Sequence, residues 1–306
     1  MSRTNKLFFA VAKGKLVSGE TSIKRYIGVA AAKVIAVNPT KDELNKIYNS
    51  NIDKDPVYFG EKDGVKYSRI DFIVRIDDKD AKDAEGNKID AITRISFLLR
   101  DAYRYNKDET KVQVIDKYGR TTWVTKEQFK NKEVPVDKNG NPLRVDASSY
   151  RPCVFGEEPL TNFIRVYLGI PNVEKWENQQ IVGMIDNPED AEVRLDHIKD
   201  YFNGDFKEIQ EIATYQIENK VKALFGIRTT DDNKKYQTVF TELFLSGGST
   251  NYAKLQKELD NAKALGRYPN TEFEVCPMKE YVETPTTFET PAATSAPVED
   301  DLPFGD

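Results

Sequence analysis

KYSRIDFIVRID, residues 66–77, sets Ile70, Phe72, Val74 and Ile76 against Arg69, Asp71, Ile73 and Arg75. A period of two is the signature of a strand with one buried face, because successive side chains leave a pleated backbone on opposite sides. AITRISFLLR, residues 91–100, repeats the pattern: Ile95, Phe97 and Leu99 lie on one side, and Arg94, Ser96, Leu98 and Arg100 on the other. The charged stretch between them, DDKDAKDAEGNKID, predicts a long-looped hairpin. The pairing puts Tyr67, Arg69 and Arg75 of one strand on the same outward face as Arg94 and Arg100 of its neighbour.

Further strands extend outward from this hairpin. RYIGVAAAKVIAV (25–37) reads as a strand of small residues, and Thr40 and Glu43 after it have the spacing of a capping box. KVQVIDKYGRTTWV (111–124) predicts a tight hairpin turning at 117–119, and VKALFGIRTTDDNKKYQTVFTELFL (221–245) another around Asp231–Lys234. EEPLTNFIRVYLGI (157–170) places Leu160, Phe163, Ile164, Tyr167 and Leu168 on one helical face, ended by Gly169 and Pro171. In 187–204 the spacing of Ala191, Leu195, Ile198 and Phe202 predicts a second helix, with His197 turned to solvent. SGGSTNYAKLQKELDNAKALG predicts a turn into a last helix, and TEFEVCP a last strand. The class is α+β, mainly β.

The formal net charge of −5 conceals an uneven distribution. From Glu283 onward there are six acids and no lysine or arginine, while residues 1–33 carry seven basic residues against Glu20 alone. Residues 91–130 hold nine basic and five acidic residues; residues 177–218 hold three and eleven. Such a distribution suits a polyanion bound on one face. No apolar run reaches the length of a membrane helix and the first residues do not form a signal peptide, so a cytoplasmic location is expected, the host cytoplasm for a phage-encoded chain.

Catalytic patterns are missing. The chain lacks a phosphate-binding P-loop, a dinucleotide fingerprint and a nucleophile elbow. Its sole histidine and its two distant cysteines, Cys153 and Cys276, exclude the usual zinc sites, so neither metal nor cofactor is expected. Acid pairs at Asp77–Asp78, Glu157–Glu158 and Glu189–Asp190 leave a metal-dependent nuclease as a minor alternative; solvated surface is the plainer reading. SGGST at 246–250 reads as a helix-entry turn before it reads as a phosphate cradle.

Single strands are bound by cations that track phosphates and by aromatic faces on which unpaired bases stack. Residues 91–130 interleave Tyr103, Tyr105, Tyr118 and Trp123 with Arg94, Arg100, Arg104 and Arg120. Trp123 and some of the tyrosines read equally well as core residues with polar tips. A small curled sheet with a basic, aromatic-studded face suggests an OB-fold-like antiparallel barrel, with strands near 27–37, 66–77, 91–99, 219–229 and 235–245. Three regions follow: a basic N-terminal arm (1–23), the OB-like DNA-binding domain (24–281) with a helical insertion near 156–218, and a disordered acidic tail (282–306).

The segment EDDLPFGD, 299–306, carries a resemblance. Asp300, Asp301, Leu302, Pro303 and Phe304 resemble the acidic tip of bacterial and phage single-stranded DNA-binding proteins, although here Gly305 and Asp306 follow the phenylalanine. The body is similar in size and layout to the larger helix-destabilising proteins of tailed phages, and GVAAAKVIAVNPTKDELNKIY (28–48) resembles those of crAss-like phages. The resemblance implies a non-enzymatic protein that coats single-stranded DNA in replication, recombination or repair. Its tail would recruit a polymerase, helicase or primase. Self-association along the strand, through the arm at Arg3 and Lys6, is a further expectation, and a non-catalytic adaptor on an OB-like scaffold is the main alternative.

Overall fold

The computed structural model describes residues 25–281, apart from 50, 78–81, 84, 90, 144, 169–173, 178–179, 185–194, 215–220 and 248. The chain divides into two compact units, the larger holding 26–38 and 57–279, the smaller represented among the described residues chiefly by 39–56. In the smaller unit α1 (Lys41–Tyr48) begins at the expected capping box: the Thr40 side chain accepts from Glu43 N–H, and Thr40 N–H donates to the Glu43 carboxylate. Asn45 then fixes the following chain through both its amide groups to Ile52.

Five long strands build the larger unit: β1 (Arg25–Val37), β3 (Val65–Ile76), β4 (Ile92–Tyr103), β11 (Val221–Thr229) and β12 (Lys235–Ser246). They run antiparallel in the order β12-β11-β1-β3-β4. Short strands extend the ladder: β2 (Phe59–Lys62) pairs with β3, β8 (Val154–Phe155) with β4, and β13 (Thr271–Phe273) with β11. A second sheet is made of β5 (Lys111–Ile115), β6 (Thr121–Thr125) and β7 (Arg151–Pro152), with α2 (Lys126–Asn131) leaving β6. Between α3 (Glu157–Tyr167) and α4 (Lys207–Thr214) lies a hairpin, β9 (Glu174–Glu177) and β10 (Gln180–Met184). The chain continues through α5 (Tyr252–Ala264) to β14 (Lys279–Tyr281).

The alternation read in residues 66–77 and 91–100 decides which face is inside. Ile70, Phe72, Val74, Ile76, Ile95, Phe97 and Leu99 are all buried in one core with Ala30, Ala32, Val34, Val221, Ala223 and Phe225. The sheet curls around α3. Phe163 of this helix lies 4.6 Å from Phe72 on β3, 5.3 Å from Phe97 on β4 and 4.9 Å from Phe244 on β12, ring centre to ring centre. Phe97 and Phe244 are themselves 6.1 Å apart, so the two ends of the five-strand order meet over one aromatic cluster in a half-barrel. Pairs in this geometry add about 0.5–1.5 kcal/mol each beyond their burial.

α5 packs on the other side of the sheet, where Leu255, Leu259 and Ala262 meet Val29, Leu224, Phe240, Leu245 and Phe273. That apolar cover belongs to the β12-β11-β1 part of the ladder. The outward positions of β3 and β4 include Arg69, Arg75, Arg94 and Arg100 among Tyr67, Asp71, Ser96 and the apolar Ile73, Ile92 and Leu98.

Two expectations need correction. Residues 195–203 form turns and a 3-10 turn (Asp200–Asn203) instead of the helix predicted over 187–204, of which 187–194 lie outside the described residues. Leu195, Ile198 and Phe202 are nonetheless buried, because a 3-10 turn also repeats about every three residues. The insertion at 156–218 is also not purely helical, since it contains the β9–β10 hairpin. The arm (1–23) and the tail (282–306) lie outside the described residues.

Candidate nucleic-acid interface

Cross-strand register places the outward residues of β3 and β4 side by side. Tyr67 stands opposite Arg100, Arg69 opposite Leu98, Asp71 opposite Ser96, Ile73 opposite Arg94 and Arg75 opposite Ile92. On the far side of β3, Lys33 of β1 is the partner of Arg75, and both are exposed. Tyr67, Arg69, Arg75, Arg94 and Arg100 therefore occupy one face, as the alternation predicted.

That face contains a buried acid. Asp71 has a side chain only 3% exposed, and its Oδ2 accepts from Arg94 Nη1 at 3.2 Å while Arg69 Nε forms an ion pair with the same oxygen at 3.2 Å. The backbone of Asp71 is fixed in turn by Asn38, whose N–H donates to the Asp71 carbonyl and whose Oδ1 accepts from Asp71 N–H. Arg69 also lies over the Tyr58 ring at 5.6 Å. Sequence reading missed this clamp because in the strand pattern Asp71 is one more outward polar residue.

The remaining residues of the predicted set gather on and beside the second sheet. Arg104 lies 5.7 Å from the centre of the half-buried Trp123 ring and donates to Gln113 Oε1 (3.0 Å) and Glu158 Oε2 (2.9 Å). Glu158 also accepts from Gln113 Nε2 and from Thr121 Oγ1, so one carboxylate ties α3 to β5 and β6. Tyr118 sits in the β5–β6 turn between Lys117 and Arg120, whose cationic groups are 5.0 and 4.7 Å from its ring centre. Arg120 donates from Nε to Asp116 Oδ2 at 2.8 Å, and Arg165 donates to the Tyr118 carbonyl. Tyr103 and Tyr105 are half exposed along the segment joining the sheets, and the Lys199 ammonium lies 4.8 Å from the Tyr103 ring centre. The predicted interface thus resolves into an arginine face on β3–β4 and a separate group on the second sheet, where Arg104 and Arg120 already face carboxylates. No family model matches the chain, and neither the curated proteins nor the solved structures yield a match.

Burial sets the titration of the groups behind the second sheet. Tyr150 is pushed up to about 12 by burial and by the nearby Asp116 and Asp146 carboxylates. Burial likewise raises Cys153, with Glu157 and Glu158 adding to the effect, and lowers Arg165.

The acid pairs weighed for a metal are engaged where they are described. Glu157 is fully buried, accepting from Arg151 and from Val154 N–H, and Glu158 is held by three donors. Asp77 pairs with Lys88 at 2.9 Å; Asp78, Glu189 and Asp190 lie outside the described residues. His197 is exposed, with Asp200 as its neighbour at 3.2 Å. At the entry to α5, Asn251 caps the helix by accepting from Lys254 N–H, which is the plain turn expected of SGGST. The tail residues Asp300, Asp301, Leu302, Pro303 and Phe304 lie outside the described residues. Among those described, no helix is long and apolar enough to cross a membrane.

Proposed function

We propose that this chain is a sequence-independent single-stranded DNA-binding protein built on an OB-like barrel. It coats unwound strands in DNA replication or recombination and recruits replication proteins through the acidic tail at 282–306. The observation that carries the reading is the outward face of β3–β4, where Tyr67, Arg69, Arg75, Arg94 and Arg100 stand in register on two adjacent strands. OB folds bind oligonucleotides across the face of their second and third barrel strands. In the order β12-β11-β1-β3-β4, those are β3 and β4, with β1 as the first strand, β11 and β12 as the fourth and fifth, and α3 between the third and the fourth. Partly exposed guanidiniums beside aromatic rings offer both devices that unpaired nucleic acid requires, phosphate neutralisation and stacking.

The test is fluorescence anisotropy of labelled oligo-dT and of a matched duplex across a salt series. The expected result is preference for the single strand, with log affinity falling against log salt by about 0.7 per phosphate neutralised. No binding at moderate salt would overturn the reading. It would favour a protein-binding adaptor, a second reading supported by the engagement of Arg69 and Arg94 with Asp71 and of Arg104 with Glu158.

A further inference from the structure

One row across the sheet has a composition unlike its neighbours. Gly60 on β2 is the register partner of Tyr67 on β3, Tyr67 of Arg100 on β4, and Arg100 of Phe155 on β8. Partners in register project to the same face, so these residues form a line perpendicular to the strands. The missing side chain of Gly60 makes room at one end: a Cβ there would lie 2.7 Å from the Tyr67 hydroxyl and 2.9 Å from its Cζ, so the phenol extends across the glycine. At the other end the Arg100 guanidinium lies 5.0 Å from the centre of the Phe155 ring, which is 45% exposed.

Phe155 is held there by its backbone. The following residue, Gly156, has φ +86°, and a Cβ on it would stand 2.0 Å from the Leu98 carbonyl oxygen, so only glycine allows β8 to lie this close to β4 before α3 begins. Phe155 belongs to none of the buried core clusters and leaves 45% of its surface to solvent on a two-residue strand. Covered by a guanidinium and followed by an obligatory glycine, it is kept at a fixed place on the basic face.

We propose that Tyr67, Arg100 and Phe155 form a stacking subsite for unpaired DNA bases, and that β8 carries the interface one strand beyond the β3–β4 pair. The proposal rests on the nucleic-acid reading above and assigns Arg100 a planar stacking role in place of a phosphate contact. The occupant follows from charge and shape together. A polyanion is drawn to the arginine face, and a flat ring matches a line of flat groups spaced about 4.8 Å apart across the strands.

Stacking and phosphate contacts differ in what they respond to. Phe155→Ala, Phe155→Tyr, Arg100→Lys and the parent chain are titrated against oligo-dT and against an abasic oligonucleotide of the same length, over a salt series. The Phe155→Ala variant is expected to bind oligo-dT roughly tenfold more weakly, with the salt slope unchanged, and to match the parent on the abasic strand. Phe155→Tyr restores most of the loss, which separates stacking from a folding defect. Arg100→Lys keeps the charge and the slope but weakens binding to oligo-dT. An equal loss on both strands, or no loss on either, overturns the subsite while parent binding stands. Failure of the parent to bind oligo-dT at all overturns the broader reading and the subsite with it.

Discussion

Asp71 is the residue on which the arginine face turns. Its Oδ2 meets both Arg69 and Arg94, while its Oδ1 is buried without a hydrogen-bond partner. The carboxylate does to these guanidiniums what a phosphate would do, so under the proposed function the two would compete for them. Asp71→Asn removes a charge that is 3% exposed from between two cations that are about one-third exposed. Its expected effects have opposite signs: stability falls by ~1–3 kcal/mol as a charge-assisted contact becomes a neutral one. Affinity for oligo-dT rises several-fold, with a salt slope steeper by about 0.7 to 1.4 as one or two guanidiniums become available to phosphate. Thermal unfolding and anisotropy on the same preparation read both. Weaker binding by the folded variant would mean that Asp71 aims the arginines and does not compete for them.

At the scale of elements, the second sheet has a core of its own: Val112, Val114, Val124, Ala147 and Tyr150. The Tyr150 hydroxyl is buried there without a hydrogen-bond partner, and its titration is pushed from 10.0 up to about 12. A phenol whose folded pKa lies above its unfolded value contributes stability that is complete below about pH 10 and is lost as pH rises towards 12. The expected outcome is a loss of order in this sheet across that window, followed by far-ultraviolet circular dichroism and tyrosinate absorbance, and reduced in Tyr150→Phe. An identical alkaline transition in that variant would place the cause elsewhere. Elements also show how far the sequence was legible. β3, β4, β11 and β12 begin and end within a few residues of their predicted bounds because each repeats a two-residue period several times. The two residues of β8 and four of β2 repeat nothing, so Phe155 and the Gly60–Tyr67 contact gave no signal. Among the described residues, the 187–204 stripe predicted the burial of Leu195, Ile198 and Phe202 but not their backbone, since turns and 3-10 geometry satisfy the same spacing.

At the scale of the whole molecule, charge separation is the feature the overall balance hides. Six of the fifty acids lie at or beyond Glu283, with no basic residue among them, so the rest of the chain carries 45 basic residues against 44 acidic ones. That separation bears on the proposed function, because a cluster of acids and a single-stranded polyanion seek the same cations. Under the proposed function, Glu299, Asp300 and Asp301 would compete with phosphate for the basic groups that bind DNA, and DNA binding would leave Leu302 and Phe304 to a partner. A chain ending at Tyr281 is expected to bind oligo-dT several-fold more tightly than the full chain at about 50 mM salt. The two titration curves should converge by about 0.5 M as the Debye length falls to roughly 4 Å. A difference that persists at high salt would mean that the segment acts by steric cover or through its apolar residues. Equal affinities at every salt concentration would remove the competition altogether and leave partner recruitment as the segment's only proposed role.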